Sequence, residues 1–238
     1  LSAIFSGLLA GSHDVIYVDM PPLPLGITGV VLKTLFGSKL ALNIHDIEPE
    51  RAIETNVFTN QRLITFLEWL EKFLYRKADK IAVVGQTLAE NLFSKHVPQD
   101  KVDVIPTWTD PDRILVQVKH NFFRAKYAGP EDFLILYAGT MGYISFLDPI
   151  IEAADRLSDD PRYRFLIVGE GVKKPGIEQK VKDLGLTNVD FLTYQPFDQL
   201  SQVMAAADIS LVTLDPSLSA YSVPGKTYTI MASSRPVL

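Results

Sequence analysis

The spacing of apolar residues along the chain switches repeatedly between two periods. Short β-branched runs at Val15–Val18, Leu40–Ile44, Ile81–Val84 and Val102–Ile105 are separated by helical spacing near Ile27–Phe36, Asn60–Lys77 and Thr87–Ser94. Strands that alternate with helices predict a parallel sheet with both faces covered. After a polar stretch the pattern restarts, with runs at Phe133–Tyr137, Arg164–Val168, Val189–Leu192 and Ile209–Leu214 and helices near Asp148–Leu157, Ile177–Leu184 and Asp198–Ala206. The expected class is therefore α/β, with two Rossmann-like domains over residues 1–112 and 113–238 and a linker within Asp110–Lys119. Ligands of such folds bind at the carboxyl ends of the strands, so two facing domains would share one cleft. The apolar opening, Leu1–Gly11, lacks a basic leader and a small-residue cleavage site, so a buried helix is expected there rather than a signal peptide. No initiator Met is present and Leu238 falls inside what reads as a further strand, so both domains are expected to be incomplete and the chain a fragment.

Composition narrows the classes of function. The chain has 238 residues, 47% hydrophobic and 21% charged, which suits a globular protein with sizeable cores. A formal net charge of −5, with Lys and Arg spread along the chain, argues against nucleic-acid binding as the main task. There is no cysteine, which removes disulfides, Cys-based zinc sites and thiol nucleophiles. No uncharged apolar run reaches the roughly 18 residues needed to cross a bilayer.

Lys226 stands out among the polar residues. Ser222 is a good N-cap and Pro224 suits a first helical turn, which would set Lys226 among the unpaired amides at the positive end of a helix. A cation there costs about 0.3–1 kcal/mol unless an anion neutralises it, and helix N-termini bind phosphate; the other reading is a solvated surface lysine. Gly139-Thr140-Met141-Gly142 and Gly169-Glu170-Gly171 each follow a strand, where glycines let backbone amides close on a phosphate. A structural tight turn explains either one equally, but two in register favour a nucleotide-type ligand. His45-Asp46-Ile47-Glu48-Pro49-Glu50 ends a strand at the rim of the expected cleft, as a binding segment or as a locally bonded histidine with Asp46 capping a helix. Its spacing matches no usual metal-ligand pattern. Asp110-Pro111-Asp112 has the form by which some enzymes hold a divalent metal, but a proline turn accounts for it. Leu63, Phe66, Leu67, Leu70, Phe73 and Leu74, with Arg76, Lys77 and Lys80 beyond, fit a core-facing helix with a cation-complemented C-terminus, or one lying on an anionic membrane.

Taken together these segments resemble the family 4 retaining glycosyltransferases of the GT-B fold, more closely the bacterial branch that builds surface polysaccharides of the cell envelope. The resemblance covers nearly the whole chain. It is carried by Asp14-Val15-Ile16-Tyr17 with Pro21-Pro22-Leu23, the His45–Glu50 segment, Ala78–Val84, Val104–Asp110, Tyr137–Gly142, Val168–Gly171, Ala206-Ala207-Asp208 and the closing Pro224-Gly225-Lys226, Met231-Ala232 and Arg235-Pro236-Val237 run.

The resemblance implies a nucleoside-diphosphate sugar bound mainly by the second domain and a lipid-linked or saccharide acceptor bound mainly by the first. It places Gly139, Thr140, Gly142 and Lys226 at the donor diphosphate, Tyr221, Ser222 and Thr229 at the donor sugar or ribose, and Gly169, Gly171, Tyr194 and Gln195 at the nucleobase. His45 is the candidate near the transferred sugar, with Asp46 beside it on the acceptor side. Amides and one lysine stabilise the leaving diphosphate without a metal, so no cofactor and no metal site are expected. Many family members carry two glutamates eight positions apart around the last helix, and Tyr221 and Thr229 occupy those positions here. The basic pair expected after the first glycine turn is also absent from Tyr143-Ile144-Ser145-Phe146. The expected activity is retaining hexosyl or N-acetylhexosaminyl transfer in the cytoplasm, with peripheral contact at the inner face of the plasma membrane. The rivals are a nucleotide-sugar-binding module without catalysis and a sugar-nucleotide epimerase of the same architecture.

Overall fold

The computed structural model describes residues 2–55 and 57–238, which divide into two compact units. One runs to Thr107 and also includes Pro216–Val223; the other comprises Trp108–Asp215 and Pro224–Leu238. This differs from the contiguous division at residue 112, because the chain returns to the first unit late. There Ser222 bridges antiparallel to Asp46, and the Tyr221 carbonyl accepts the Ile47 amide at 2.8 Å.

The first unit contains α1 (Ser2–Ala10), β1 (Val15–Met20), α2 (Leu25–Phe36), β2 (Lys39–Ile44), α3 (Glu50–Glu54), α4 (Gln61–Lys77), β3 (Lys80–Val83), α5 (Gln86–Ser94) and β4 (Val102–Val104). Its strands are parallel in the order β1-β2-β3-β4. Leu40, Leu42 and Ile44 of β2 and Ile81 and Val83 of β3 are fully buried, packed with Leu74 of α4 and Leu88 of α5. Such fully enclosed aliphatic side chains each stabilise by about 2–5 kcal/mol against truncation to alanine. Asn60 caps α4 by accepting the amides of Arg62 and Leu63 at 3.0 and 3.2 Å.

Two expectations about this unit are corrected. Ile64, Leu67, Leu70 and Leu74 take the core side of α4, which leaves Leu63, Phe66 and Trp69 exposed a fraction of a turn away. Helix α1 has no buried residue: it packs on α2 with Gly7 against Leu32, and Phe5 and Leu9 face outward.

The second unit contains α6 (Arg124–Tyr127), β5 (Phe133–Ala138), α7 (Asp148–Arg156), β6 (Tyr163–Val168), α8 (Lys174–Asp183), β7 (Val189–Leu192), α9 (Leu200–Ala206), β8 (Ile209–Ser210) and α10 (Lys226–Ala232). The parallel order is β7-β6-β5-β8, so the winding direction reverses at β5. That reversal makes the carboxyl end of β5 the natural ligand position. The run Ile209–Leu214 is a strand over only Ile209–Ser210; Leu211 finds its acceptor on Leu136 at 2.7 Å, and β5 then ends at Ala138. On its other side Ser210 bridges Val237 in parallel. Among the described residues no helix is long and apolar enough to cross a membrane.

Among the described residues each unit has a buried charged side chain, Arg124 in the second and Glu71 in the first. In the second, Arg124 is 1% exposed and donates to the Ala206 carbonyl at 2.7 Å and to Asp208 at 2.8 Å. Burial works against the Asp208 carboxylate, but hydrogen bonds from Lys119, the Leu134 amide and Arg124 outweigh it and hold the group below its ordinary range. The cluster ties the start of β5 to the end of α9. Arg124→Met should lower stability of this unit by about 3–5 kcal/mol, read by chemical denaturation. In the first unit, Glu71 is 1% exposed and bonded to Tyr75 and Lys95. Burial pushes its carboxyl up to about 7, against the lowering effect of Lys95. Because the folded value lies above the unfolded one, the protonated form favours folding, and stability should fall as pH rises from about 4.5 through 7. Denaturation of wild type and Glu71→Gln across that range should show the dependence in the first and its loss in the second.

Candidate functional site

At the carboxyl edge of the second sheet, the turn Gly139–Gly142 after β5 lies beside Gly169–Gly171 after β6. The Gly139 amide donates to the Val168 carbonyl at 2.9 Å and the Met141 amide to that of Glu170 at 2.8 Å. Gly169 has φ +145°, and a Cβ there would collide with the Gly139 carbonyl. Glycine at this position is what allows the two turns to touch backbone to backbone. The same bonds correct the expected amide cradle: the amides of Gly139 and Met141 serve the neighbouring turn, and the Gly142 amide reaches Ser145 Oγ at 3.3 Å. A side-chain cation adds positive charge at this edge.

Lys226 supplies it. The residue opens α10 behind Gly225 as N-cap, so Ser222 is not the cap. Its Nζ lies 4.0 Å from the Tyr137 ring centroid and donates to Tyr137 Oη at 2.9 Å; that hydroxyl donates on to the Thr140 carbonyl at 2.9 Å. Tyr137 is buried and Lys226 half-buried. Among the described residues Lys226 forms no ion pair with a carboxylate. An aromatic face and a phenol stabilise an ammonium without neutralising it, so the site retains one uncompensated charge.

A cavity of about 300 Å³ opens beside it, lined by Gly139, Tyr194, Gln195, Phe197, Lys226 and Thr229 over an apolar floor that includes Val168, Leu200 and Met204. Thr140 Oγ1 and Tyr194 Oη are 2.8 Å apart, and Thr229 Oγ1 is 3.3 Å from Thr109 Oγ1. Arg113 stacks over the Phe197 ring at 4.6 Å. Gly139, Lys226, Thr229, Tyr194 and Gln195 thus come together in one pocket, with Gly169 and Gly171 supporting its wall.

The remaining candidates form a separate cluster in the first unit. His45 Nε2 lies 2.9 Å from both Asp19 Oδ1 and Asn43 Nδ2, because the parallel register sets Asp19 opposite Asn43. Asp46 accepts a hydrogen bond from the Ser222 hydroxyl and does not cap α3, which starts behind Pro49. Tyr221 packs against the core of this unit. Tyr221 and Ser222 are therefore beside the His45–Asp46 segment, contrary to their expected place in the second domain. Glu48 pairs with Arg51 at 3.0 Å and Glu50 with Lys95. Among the described residues no three His, Cys, Asp or Glu side chains are grouped to hold a metal. In the segment Asp110–Asp112, the Asp110 carboxylate accepts the Asp112 amide at 2.9 Å, the local turn expected of it.

The sequence reading missed Tyr137, Asp19 and Arg113. A signal existed for Tyr137: two residues before Gly139 in a strand, it shares a sheet face with the turn glycine. For Asp19 the signal was an acidic residue closing an apolar strand. Nothing local marked Arg113.

Comparison with known proteins gives a glycosyltransferase match for each unit. Residues 2–108 match the glycosyl transferase 4-like domain and residues 119–215 match the glycosyl transferases group 1 family. WcaI of Escherichia coli, whose name is that of a colanic acid biosynthesis glycosyl transferase, is 26% identical over 85% of this chain and 51% of its own. WbjE of Pseudomonas aeruginosa, named as a glycosyltransferase, is 22% identical over 94% of this chain and 56% of its own. The chain spans about half the length of these curated relatives. Among solved structures, Anabaena HepE in complex with UDP superposes with a TM-score of 0.77 at 16% identity, covering 99% of this chain and 62% of HepE. Sucrose-phosphate synthase of Thermosynechococcus elongatus gives 0.76 at 19% identity, covering 98% and 57%. Each unit thus carries a match to a glycosyltransferase domain, and the chain has the two-Rossmann fold of these GT-B structures.

The crowding around Lys226 gives a direct test. A Cβ on Gly139 would lie 2.8 Å from Nζ, so Gly139→Ala must displace the ammonium from Tyr137. Affinity for inorganic pyrophosphate, measured by calorimetry, should fall about tenfold, the equivalent of one charge-assisted hydrogen bond.

Proposed function

We propose that this chain forms part of a family 4 retaining glycosyltransferase that moves a hexosyl or N-acetylhexosaminyl group from a nucleoside-diphosphate sugar to a lipid-linked or saccharide acceptor, in surface-polysaccharide assembly at the cytoplasmic membrane face. The observation that carries the reading is the half-buried, unneutralised Lys226 ammonium at the wall of a pocket on the switch-point edge of the second sheet. A departing diphosphate develops negative charge where that ammonium already stands, and a preorganised charge lowers the barrier for this step. HepE, whose fold this chain shares, has been crystallised with UDP and with UDP-glucose.

In this reading Lys226, with Gly139, Thr140 and Gly142, faces the diphosphate. Tyr194 and Gln195, beside Gly169 and Gly171, face the nucleobase, and Thr229 offers its hydroxyl to the ribose or sugar. His45 and Asp46 serve the acceptor side, where Tyr221 and Ser222 join them. The bond from the anomeric carbon to phosphate oxygen breaks, the bond to the acceptor oxygen forms on the same face, and the acceptor proton leaves on the departing phosphate. One observation favours a binding module without catalysis: Thr229 and Tyr221 stand where carboxylates were expected, and Tyr221 is packed into the first unit. An epimerase needs acid and base carboxylates, and none of the pocket-lining residues is Asp or Glu.

Incubating the full-length protein with UDP-sugars separates these readings. Acceptor-dependent release of UDP supports transfer, epimer formation without release supports an epimerase, and binding alone supports the module. Lys226→Ala should weaken UDP binding by about 1–3 kcal/mol, roughly 10- to 100-fold. Unchanged affinity in that variant overturns the donor assignment.

A further inference from the structure

Beside the pocket of the second unit stands a cation that the diphosphate reading does not use. Phe197 lines the pocket together with Gln195, and Arg113 lies over the Phe197 ring, 4.6 Å from its centroid. The backbone on either side of Arg113 is anchored. Its own amide donates to the Asp110 carbonyl at 3.1 Å, Ile114 next to it is buried, and the Leu115 amide donates to Ser201 Oγ of α9 at 3.0 Å. Among the described residues Arg113 forms no ion pair. An exposed guanidinium is thus held on an aromatic ring at the pocket's side with no carboxylate to account for it.

The chemistry of these side chains is directional. Stacking occupies the flat face of a guanidinium and leaves the N–H groups around its edge to donate, and a guanidinium has no acceptor. Gln195 has the opposite bias, because its Nε2 is spent on the Thr193 carbonyl at 3.0 Å and its Oε1 remains to accept. A donor near an acceptor matches the keto–imide edge of uracil or guanine, where a carbonyl oxygen adjoins a ring N–H. Cytosine and adenine present the reverse order, an amino group beside a bare ring nitrogen, and would set donor against donor at Arg113. Such a mismatch leaves polar groups without partners, which is how a hydrogen-bonding site rejects a ligand of nearly the same shape.

We infer that Arg113, held on Phe197, selects the base of the donor: a nucleoside diphosphate with a keto–imide base, uracil or guanine, in preference to one with an amino base. The inference rests on the donor reading of this pocket. The test is calorimetry on the full-length protein with UDP, CDP, GDP, ADP and inorganic pyrophosphate. UDP should bind about tenfold tighter than CDP, or GDP than ADP, and the pair that shows the preference identifies which base the donor carries. Arg113→Ala should remove most of that preference and leave pyrophosphate affinity unchanged, which also shows that the variant folds. Phe197→Leu, which takes away the ring beneath the guanidinium, should act in the same direction, and Arg113→Lys, which keeps the charge without the fork of donors, should not restore the preference. Equal affinity within both pairs, a preference for CDP or ADP, or a preference that persists in Arg113→Ala overturns the assignment. So does an equal loss of UDP and pyrophosphate affinity in Arg113→Ala that Arg113→Lys rescues, since that places the guanidinium on phosphate. Pyrophosphate separates the two levels of the argument. If it binds in a manner that depends on Lys226 while the bases are not distinguished, the base assignment alone falls; if it does not bind, or binds equally to Lys226→Ala, the donor reading falls and this inference with it.

Discussion

The second unit depends on one close approach, the Gly139 carbonyl against Gly169, where two backbone turns meet with no side chain between them. That contact carries the hydrogen-bond order of the parallel sheet past the ends of β5 and β6 and keeps the turns level. It also consumes amides that a phosphate might otherwise have used. The space above Gly139 admits the Lys226 ammonium because no Cβ stands there, which brings a side-chain cation to the same edge. Tyr137 then fixes the position with its ring and hydroxyl. Backbone economy and electrostatics are thus parts of one arrangement.

The first unit solves a different problem. Its sheet order is a simple progression with no reversal inside it, and the strand ends carry a short polar network, Asp19, Asn43 and His45, in place of a walled pocket. Segment Pro216–Val223 joins that network through Ser222 and Asp46. Residues far apart in the chain are brought beside the histidine by one bridge and one backbone bond. Elsewhere in the unit buried Glu71 of α4 pairs with part-buried Lys95, and the outer face of the same helix carries exposed Lys72 and Arg76 and stacked Phe66 and Trp69. A single helix, α4, therefore contributes an aliphatic stripe to the core and an aromatic, basic face to the outside.

Much of this was legible in the residues. The two series of alternating runs gave the parallel sheets to within one or two residues at most strand ends, because fully buried strands must be continuously apolar and β-branched. The exception is Ile209–Leu214, where only Ile209 and Ser210 pair with β5, against Ile135 and Leu136, although β5 runs on to Ala138. Lys226 was singled out by its clash with a helix N-terminus, and the structure places it in a pocket with Gly139, Thr229, Tyr194 and Gln195. The reason for its importance differs, since Ser222 does not cap that helix and the glycine amides are occupied.

By itself the sequence determined the fold class, the doubling of the fold and the strand ends on which polar chemistry gathers, since these follow from local periodicity and from where glycines interrupt it. Only the tertiary structure decided which side chains meet. Register set Asp19 against His45, the return of the chain carried Tyr221 and Ser222 to the first unit, and the alignment of two turns lifted Lys226 onto Tyr137. Those pairings join residues up to 176 positions apart, and no local pattern of hydrophobicity or charge encodes a contact made across that distance.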